Sequence, residues 1–216
     1  MKAPDKLLAE KMLHIGAIQL QPESPFLLAS GWNSPIYTDM RRLLSYPDVR
    51  NFLKIELART IMEMYPDADA LVSSARGGIA IGAIVADTLA LPYAIVRDTP
   101  KDHGLENLIE GNLKPGWKVV VVDYLVSTGG SSVLTVENVR NAGCDVSGIV
   151  SVFDYEFPIA RQRFRKENID VHPLLTFNTL LEVAREIHYI EPDDMDTLSE
   201  WREDPAAWSP QSKSPF

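Results

Sequence analysis

Short runs of valine and isoleucine that alternate with helical patterns constrain the fold of this chain more than any other feature. The run Val119–Val122 is apolar at every position, so both faces of the strand it forms must be buried. Strands of this kind are typical of parallel sheets, whose crossover connections are usually helices. We predict strands at Ala70–Ser73, Tyr93–Arg97, Val119–Val122 and Val146–Val152, and helices at Ile79–Leu89 and Ser132–Asn141. The predicted fold class is α/β, with a doubly wound, mostly parallel sheet and flanking helices.

The N-terminal region adds smaller elements to this core. Apolar residues at helical spacing predict a helix over Pro4–Ile15 and a longer helix over Pro47–Met64. Between them, Phe26–Ala29 and Ile36–Thr38 are expected to form two short strands of a hairpin, separated by a turn rich in Gly, Asn and Pro. The expected organisation is a single domain over residues 1–203, with a small N-terminal hood over residues 1–45 and a peripheral tail over residues 204–216.

Charge and composition limit the partners of the chain. The formal net charge of −9 disfavours nucleic acid as a main partner, because polyanions bind proteins mainly through Lys and Arg. The single cysteine, Cys144, excludes a disulfide within the chain and fits a reducing cytoplasm. The most apolar region, Gly77–Val96, contains Asp87 and Pro92 and falls short of the ~20 apolar residues that span a bilayer. We therefore expect a cytoplasmic location and no membrane partner.

The most specific motif follows the valine run. After Asp123, the segment Ser127–Ser131 contains two glycines among hydroxyl residues and leads into the predicted helix. Free N–H groups and the positive dipole end at a helix N-terminus attract anions, and glycines let a phosphate approach the backbone closely. Asp123, at the end of the strand, can accept hydrogen bonds from ribose hydroxyls. The sequence therefore predicts a ligand with a phosphate and a ribose.

The glycine-containing segment Ser127–Ser131 has other possible interpretations. No lysine follows the glycines as in GxxxxGK[ST], and the spacing is not GxGxxG, so a nucleoside triphosphatase and a dinucleotide enzyme are disfavoured. Gly and Ser also occupy turns between strands and helices for purely local reasons. The histidines His14, His172 and His188 lack the spacing of metal ligands, and no metal site within the protein is predicted.

The region Val119–Ser132 resembles the phosphoribosyl-pyrophosphate (PRPP) motif of type I phosphoribosyltransferases. In that motif an apolar strand, two acidic positions and two apolar residues precede a turn rich in Ser, Thr and Gly. The similarity extends through most of the chain, because Ser34–Arg41 and Lys101–Gly104 resemble orotate phosphoribosyltransferases and Glu200–Trp208 is similar to the ending of some bacterial members. The resemblance implies the type I phosphoribosyltransferase fold.

The resemblance also implies an activity and a set of site residues. Members transfer ribose 5-phosphate from PRPP, which carries Mg²⁺, to orotate, and they release orotidine 5′-monophosphate and pyrophosphate in pyrimidine biosynthesis. The residues implied to bind PRPP are Arg76, Arg97, Lys101, His103, Asp123, Ser127, Thr128, Gly129, Gly130 and Ser131. Catalytic roles are implied for Lys101, His103 and Asp123, and orotate contacts are implied for Tyr37 and Ser127.

A long polar segment between Arg97 and Trp117 fits the same resemblance. It exceeds the roughly 2 to 6 residues of an ordinary connection in a compact α/β unit, and loops of this length commonly carry function. In the family this loop is a lid that closes over the active site of the neighbouring subunit. The resemblance therefore implies a homodimer with shared sites, in which Lys101 and His103 are lid residues.

Four positions depart from the pattern of the family. Tyr124 occupies the second acidic position of the PRPP motif, and a phenol carries no charge at neutral pH. Ala29, Asp98 and Tyr155 occupy positions where many orotate enzymes have a positive charge. Two alternatives therefore stay open at this point. One is a non-catalytic or regulatory PRPP- or nucleotide-binding paralogue, and the other is a phosphoribosyltransferase for another base.

Overall fold

A computed structural model describes residues 2–28, 31–75, 77–97 and 108–209 of the chain. The strands are β1 (Ile18–Leu20), β2 (Phe26–Leu27), β3 (Asn33–Ser34), β4 (Ile36–Thr38), β5 (Ala70–Ser74), β6 (Tyr93–Val96), β7 (Ile109–Glu110), β8 (Lys118–Val126), β9 (Asp145–Asp154) and β10 (Val171–Thr176). The helices are α1 (Pro4–His14), α2 (Pro47–Met64), α3 (Ile79–Leu89), α4 (Gly130–Asn141), α5 (Pro158–Lys166), α6 (Phe177–Glu186) and α7 (Asp194–Glu203), with a 3₁₀ helix at Met40–Ser45.

A six-stranded sheet in the order β10-β9-β8-β5-β6-β7 forms the centre of the molecule. The first five of these strands are parallel, and β7 joins the edge antiparallel to β6. The prediction of a mostly parallel, doubly wound sheet is therefore confirmed. If the five parallel strands β5, β6, β8, β9 and β10 are renumbered 1 to 5 in chain order, their order across the sheet is 2-1-3-4-5. The direction of winding thus reverses between β5 and β8, and open α/β sheets bind their ligands at such a point.

Helices cover both faces of this sheet. Helix α3 packs against α2, whereas α4 packs against α5. The connections β5-α3-β6 and β8-α4-β9 run in opposite directions along the sheet, so the right-handed crossovers that are general for parallel strands put α3 and α4 on opposite faces. Val119–Val122 lie between these two layers and are completely buried, as their uninterrupted apolar pattern predicts. In the part of the chain that the structure describes, no helix combines the length and apolarity needed to cross a membrane.

The N-terminal hood consists of two small antiparallel pairs, and the predicted hairpin between Phe26–Ala29 and Ile36–Thr38 is wrong. Instead, β2 pairs with β3, and β4 pairs with β1, a strand that the sequence analysis did not predict. The physical reason is a change of partner at Pro35. Just before it, the buried Ser34 hydroxyl donates to the carbonyl oxygen of Ile36 at 2.7 Å, so one ladder ends where the next begins.

Candidate active site

The two turns at the reversal of the winding lie against each other. A Cβ atom added to Gly78, in the turn after β5, would lie 2.6 Å from the carbonyl oxygen of Val122 on β8. A Cβ on the neighbouring Gly77 would lie 3.5 Å from Oδ1 of Asp123. Only glycine allows this close approach at position 78, because real Cβ contacts do not occur below 3.0 Å. The turn after β5 thus lies beside the proposed phosphate turn.

The boundaries of the phosphate turn differ from the prediction. Strand β8 does not end at Val122 but continues to Val126, because Leu125 and Val126 pair with Phe153 and Asp154 of β9. Helix α4 begins at Gly130, two residues before the predicted start. The turn therefore contracts to Ser127–Gly129, and the first residues of α4 supply the free N–H groups of its N-terminus.

Helix α5 supports the phosphate turn from behind. Gly129 has a φ of +77°, in the left-handed region, and a Cβ at this position would lie 3.0 Å from Cζ of Phe164. The neighbouring Arg163 donates a hydrogen bond of 2.7 Å from Nη1 to the carbonyl oxygen of Thr128. Both side chains were missed by the sequence analysis, which predicted no helix at this position. The basic composition of residues 161–166 was the available signal.

Asp123 is buried in the sheet next to this turn. Its Oδ1 accepts the N–H of Tyr124 at 2.8 Å, and its Oδ2 accepts a longer hydrogen bond of 3.4 Å from the hydroxyl of Ser132 on α4. Burial raises the pKa of the Asp123 carboxyl to about 6, and the hydrogen bonds oppose this shift. The carboxyl is therefore mainly ionised at neutral pH and becomes protonated as the pH falls through about 6.

Tyr124 points away from Asp123. Successive residues of a strand face opposite sides of the sheet, so Asp123 faces α4 and Tyr124 faces α3. The Tyr124 hydroxyl is buried and has no hydrogen-bond partner among the described residues, and burial raises its pKa to about 12. In this arrangement Tyr124 is a packing residue, and the substitution in the motif changes the core on the α3 side.

A cavity of about 420 Å³ opens beside the phosphate turn. Ser127 and Thr128 form part of its wall, and Tyr37 from β4 lies on the hood side. The Tyr37 ring is 40% exposed and lies 5.5 Å from the ring of Phe26. The structure thus brings together the two residues to which the sequence analysis assigned the orotate contacts, Tyr37 and Ser127.

Tyr155 and Thr38 supply a polar pair in this mainly apolar cavity. Their hydroxyl oxygens lie 3.0 Å apart, which joins the end of β9 to the hood. The Tyr155 ring stacks on Phe157, with 4.9 Å between centroids, and contacts Trp201 edge-on at 5.6 Å. The sequence analysis did not predict this contact, because the two residues lie 117 positions apart in the sequence.

The C-terminal segment completes the cavity wall. Residues 204–206 belong to the segment expected to form a peripheral tail, and they line the cavity together with Glu203 and Trp201. Both acidic groups already have partners, because Glu203 pairs with Arg202 at 2.6 Å and Asp204 accepts the N–H of Ala207 at 3.1 Å. Among the described residues, no Lys or Arg lines the cavity.

The remaining predicted site residues are placed in part. Arg97 directly follows β6, so it lies at the carboxyl ends of the parallel strands, as the phosphate turn does. It forms an ion pair of 3.0 Å with Glu110. Arg76, Lys101 and His103 lie outside the described residues. Within the described ranges, no group of three or more His, Cys, Asp or Glu side chains is arranged to hold a metal ion.

The chain is similar to curated proteins over almost its whole length, although no protein-family model matches it. An orotate phosphoribosyltransferase of Bacteroides thetaiotaomicron is 52% identical over 208 residues, which cover 96% of this chain and 98% of that protein. Orotate phosphoribosyltransferases of Cytophaga hutchinsonii and Levilactobacillus brevis are 43% and 42% identical, and these matches cover 94% and 95% of this chain and 97% and 98% of those proteins.

Solved structures show the same fold. The orotate phosphoribosyltransferase of Aeropyrum pernix has a TM-score of 0.73 and 28% identity, over 85% of this chain and 99% of that chain. The UMP synthase of Leishmania donovani has a TM-score of 0.76 and 25% identity, over 93% of this chain but 42% of that longer chain. With sequence identity near one half over almost the full length of its bacterial relatives, this chain belongs to the orotate phosphoribosyltransferase family.

Proposed function

We propose that this protein transfers ribose 5-phosphate from PRPP to N1 of orotate, forming orotidine 5′-monophosphate and pyrophosphate in pyrimidine biosynthesis. The observation that carries this function is the shared wall between the phosphate turn and the cavity. Ser127 and Thr128 belong to both, so a sugar phosphate on the turn would present its C1′ atom towards a base in the cavity. Family membership supports the same reaction.

The arrangement suits a reaction whose difficult step is charge separation. As the bond from C1′ to pyrophosphate breaks, the sugar becomes cation-like and the leaving group gains negative charge. Fixed donors and water exclusion lower the barrier to such a step. We propose that the turn holds the 5′-phosphate, that Asp123 accepts hydrogen bonds from the ribose hydroxyls, and that Arg97, Arg76, Lys101 and His103 hold the pyrophosphate.

Mg²⁺ fits this site as an ion that PRPP brings with it. Mg²⁺ keeps several waters and binds substrate phosphates with few protein ligands, and the described residues offer no acidic cluster that could form a protein cage. When bound, the ion neutralises charge on the pyrophosphate. Asp123 is the carboxylate of the turn region that could contact its hydration shell.

The direct test is turnover with defined substrates. Incubation with PRPP, Mg²⁺ and orotate is expected to give orotidine 5′-monophosphate and pyrophosphate in equal amounts, separated and quantified by chromatography. Lys101→Ala and His103→Ala should each lower kcat strongly if these residues bind the leaving group. Lys166→Ala removes an exposed positive charge from α5 and serves as the control. Absence of product with the unmodified protein would refute the proposed function.

A second function is PRPP or nucleotide binding without turnover, and Tyr124 is the observation that favours it. The motif of this chain retains one acid, Asp123, so it carries one carboxylate instead of two. Calorimetry together with the turnover assay separates the two functions, because a binding module would bind PRPP and form no product. The same assay with a panel of pyrimidine and purine bases tests the third possibility, a base other than orotate.

We further propose a cytoplasmic homodimer with shared sites. Support comes from the family, whose lid closes over the site of the neighbouring subunit, and from the position of Lys101 and His103 in the corresponding segment. The free thiol of Cys144 is buried and fits a reducing compartment. Mixing a Lys101→Ala protein with an Asp123→Asn protein tests the shared site, because a mixed dimer would regain one complete site and with it partial activity.

A further inference from the structure

We propose that Arg163 is a positioning residue for the 5′-phosphate: its guanidinium holds the peptide between Thr128 and Gly129 so that the N–H of Gly129 faces the ligand. This role rests on the proposed function, because it assigns a task to a residue behind the phosphate turn. Neither the resemblance nor the sequence motif assigns any role to α5.

The geometry around Thr128 supports this role. Nη1 of Arg163 lies 2.7 Å from the carbonyl oxygen of Thr128. A trans peptide is planar, and its C=O and N–H groups point in opposite directions. Because the carbonyl of Thr128 points at α5, the N–H of Gly129 points away from α5. The hydrogen bond to Arg163 therefore fixes which side of the turn presents a donor.

The donors of the turn are free to bind a ligand. The N–H groups of Gly129 and Gly130 have no acceptor among the described residues. Gly130 begins α4, so its N–H also belongs to the positive end of the helix dipole. A phosphate is the expected acceptor for such a set of unpaired backbone donors at a helix start.

Glycine makes this turn dependent on an external restraint. Gly129 adopts its positive φ without the steric penalty of other residues, and the same freedom lets the preceding peptide rotate. Phe164 occupies the space behind Gly129, and Arg163 supplies the directional contact to Thr128. Together, the two side chains of α5 restrain a turn that its own sequence leaves flexible.

The charge of Arg163 is available to the site. Within the described residues it forms no ion pair, whereas Arg161 on the same helix pairs with Glu156 at 2.8 Å. Nη1 of Arg163 also lies 3.4 Å from the position of a Cβ added to Gly130, which places the positive charge at the start of α4. A hydrogen bond from a charged donor polarises the peptide and strengthens its N–H as a donor.

The test compares Arg163→Met with Arg165→Met. Both remove one positive charge from α5 and keep an unbranched side chain, but Arg165 is exposed and has no contact with the turn. Calorimetry measures the affinity for ribose 5-phosphate and, separately, for pyrophosphate, and steady-state kinetics give kcat and the KM for PRPP.

Arg163→Met should weaken ribose 5-phosphate binding and raise the KM for PRPP by roughly tenfold, the effect of one lost charged hydrogen bond. Pyrophosphate affinity and kcat should stay within about twofold, Arg163→Lys should restore part of the affinity, and Arg165→Met should resemble the unmodified protein.

Three results would overturn the role of Arg163. Equal effects of Arg163→Met and Arg165→Met would indicate a general charge effect, and equal loss of both ligands would indicate a structural role. A melting temperature that falls equally in Arg163→Met and Arg163→Lys, without a selective loss of affinity for ribose 5-phosphate, would also indicate a structural role. If the unmodified protein binds neither PRPP nor ribose 5-phosphate, the proposed function itself fails, which is a distinguishable outcome.

Discussion

Replacement of Asp123 by Asn should stabilise the protein without ligand while it weakens PRPP binding. Burial raises the pKa of Asp123 from 3.8 to about 6, so ionisation is less favourable in the folded chain than in the unfolded chain. One pKa unit corresponds to ~1.36 kcal/mol, and the ionised carboxylate therefore costs the folded state about 3 kcal/mol. Asn keeps the shape of the side chain and can accept the N–H of Tyr124, so most of this cost should disappear.

The stabilisation should depend on pH in a defined direction. The folded state binds the proton of Asp123 more tightly than the unfolded state, so this group favours folding below pH 3.8, and that contribution is lost as the pH rises through about 6. The cost of the carboxylate is about 1.6 kcal/mol at pH 5 and about 3 kcal/mol at pH 8. The advantage of Asp123→Asn should therefore grow by about 1.4 kcal/mol between these two pH values.

Urea unfolding at both pH values, at one protein concentration, measures this difference. Asp154 also has a pKa raised by burial to about 6, but it is present in both proteins and its contribution cancels. Ribose 5-phosphate binding to Asp123→Asn should be weaker, since the amide has one neutral acceptor oxygen in place of the two charged oxygens that would accept from the ribose hydroxyls. A difference in unfolding free energy that does not change with pH, or a less stable variant at pH 8, would refute the buried ionised carboxylate.

Three further substitutions probe the turn, the motif and the cavity. Gly129→Ala should lower stability by about 1–2 kcal/mol in thermal melting and raise the KM for PRPP, because its φ is +77° and the added Cβ would crowd the ring of Phe164. Tyr124→Phe should leave kcat and the KM for PRPP unchanged and stability equal or higher, since it removes an unpaired buried hydroxyl; a raised KM would show that the hydroxyl reaches the ribose. Tyr155→Phe should raise the KM for orotate severalfold while the KM for PRPP stays constant, because it removes the hydroxyl that pairs with Thr38; equal changes in both constants would contradict a role confined to the base.

Four strands of the central sheet, β5, β6, β8 and β9, and two of its helices could be predicted because their signals are local. The bounds of α2 and α3 match the predicted ranges, since apolar spacing and a flanking proline mark the first and a continuous apolar segment marks the second. The four valines of Val119–Val122 likewise predict a strand buried on both faces, and all four are completely buried. Elements with a clear hydrophobic pattern of their own could thus be predicted from the sequence.

Elements and contacts that depend on residues distant in the sequence could not be predicted in this way. Strand β8 extends past Asp123 because β9 extends beside it to Asp154. The residue types of Asp123 and Tyr124 do not predict this pairing. The Thr38–Tyr155 pair and the contact of Arg163 with Thr128 each join residues more than 30 positions apart. Sequence patterns located a turn between β8 and α4, but the contacts that α5 makes with this turn could not be predicted from the sequence.

The position of Tyr124 also changes the meaning of the departure from the motif. A second carboxylate at this position would be buried on the α3 face, where the Tyr124 hydroxyl finds no partner and burial already raises its pKa to about 12. A carboxylate there would incur a desolvation cost similar to that of Asp123, and the two charges on neighbouring residues would repel each other. The phenol avoids this cost and fills the same core space with apolar surface. We therefore expect Tyr124 to stabilise the strand that leads into the turn more than a second carboxylate would, while Asp123 supplies the carboxylate of the motif on the face of α4.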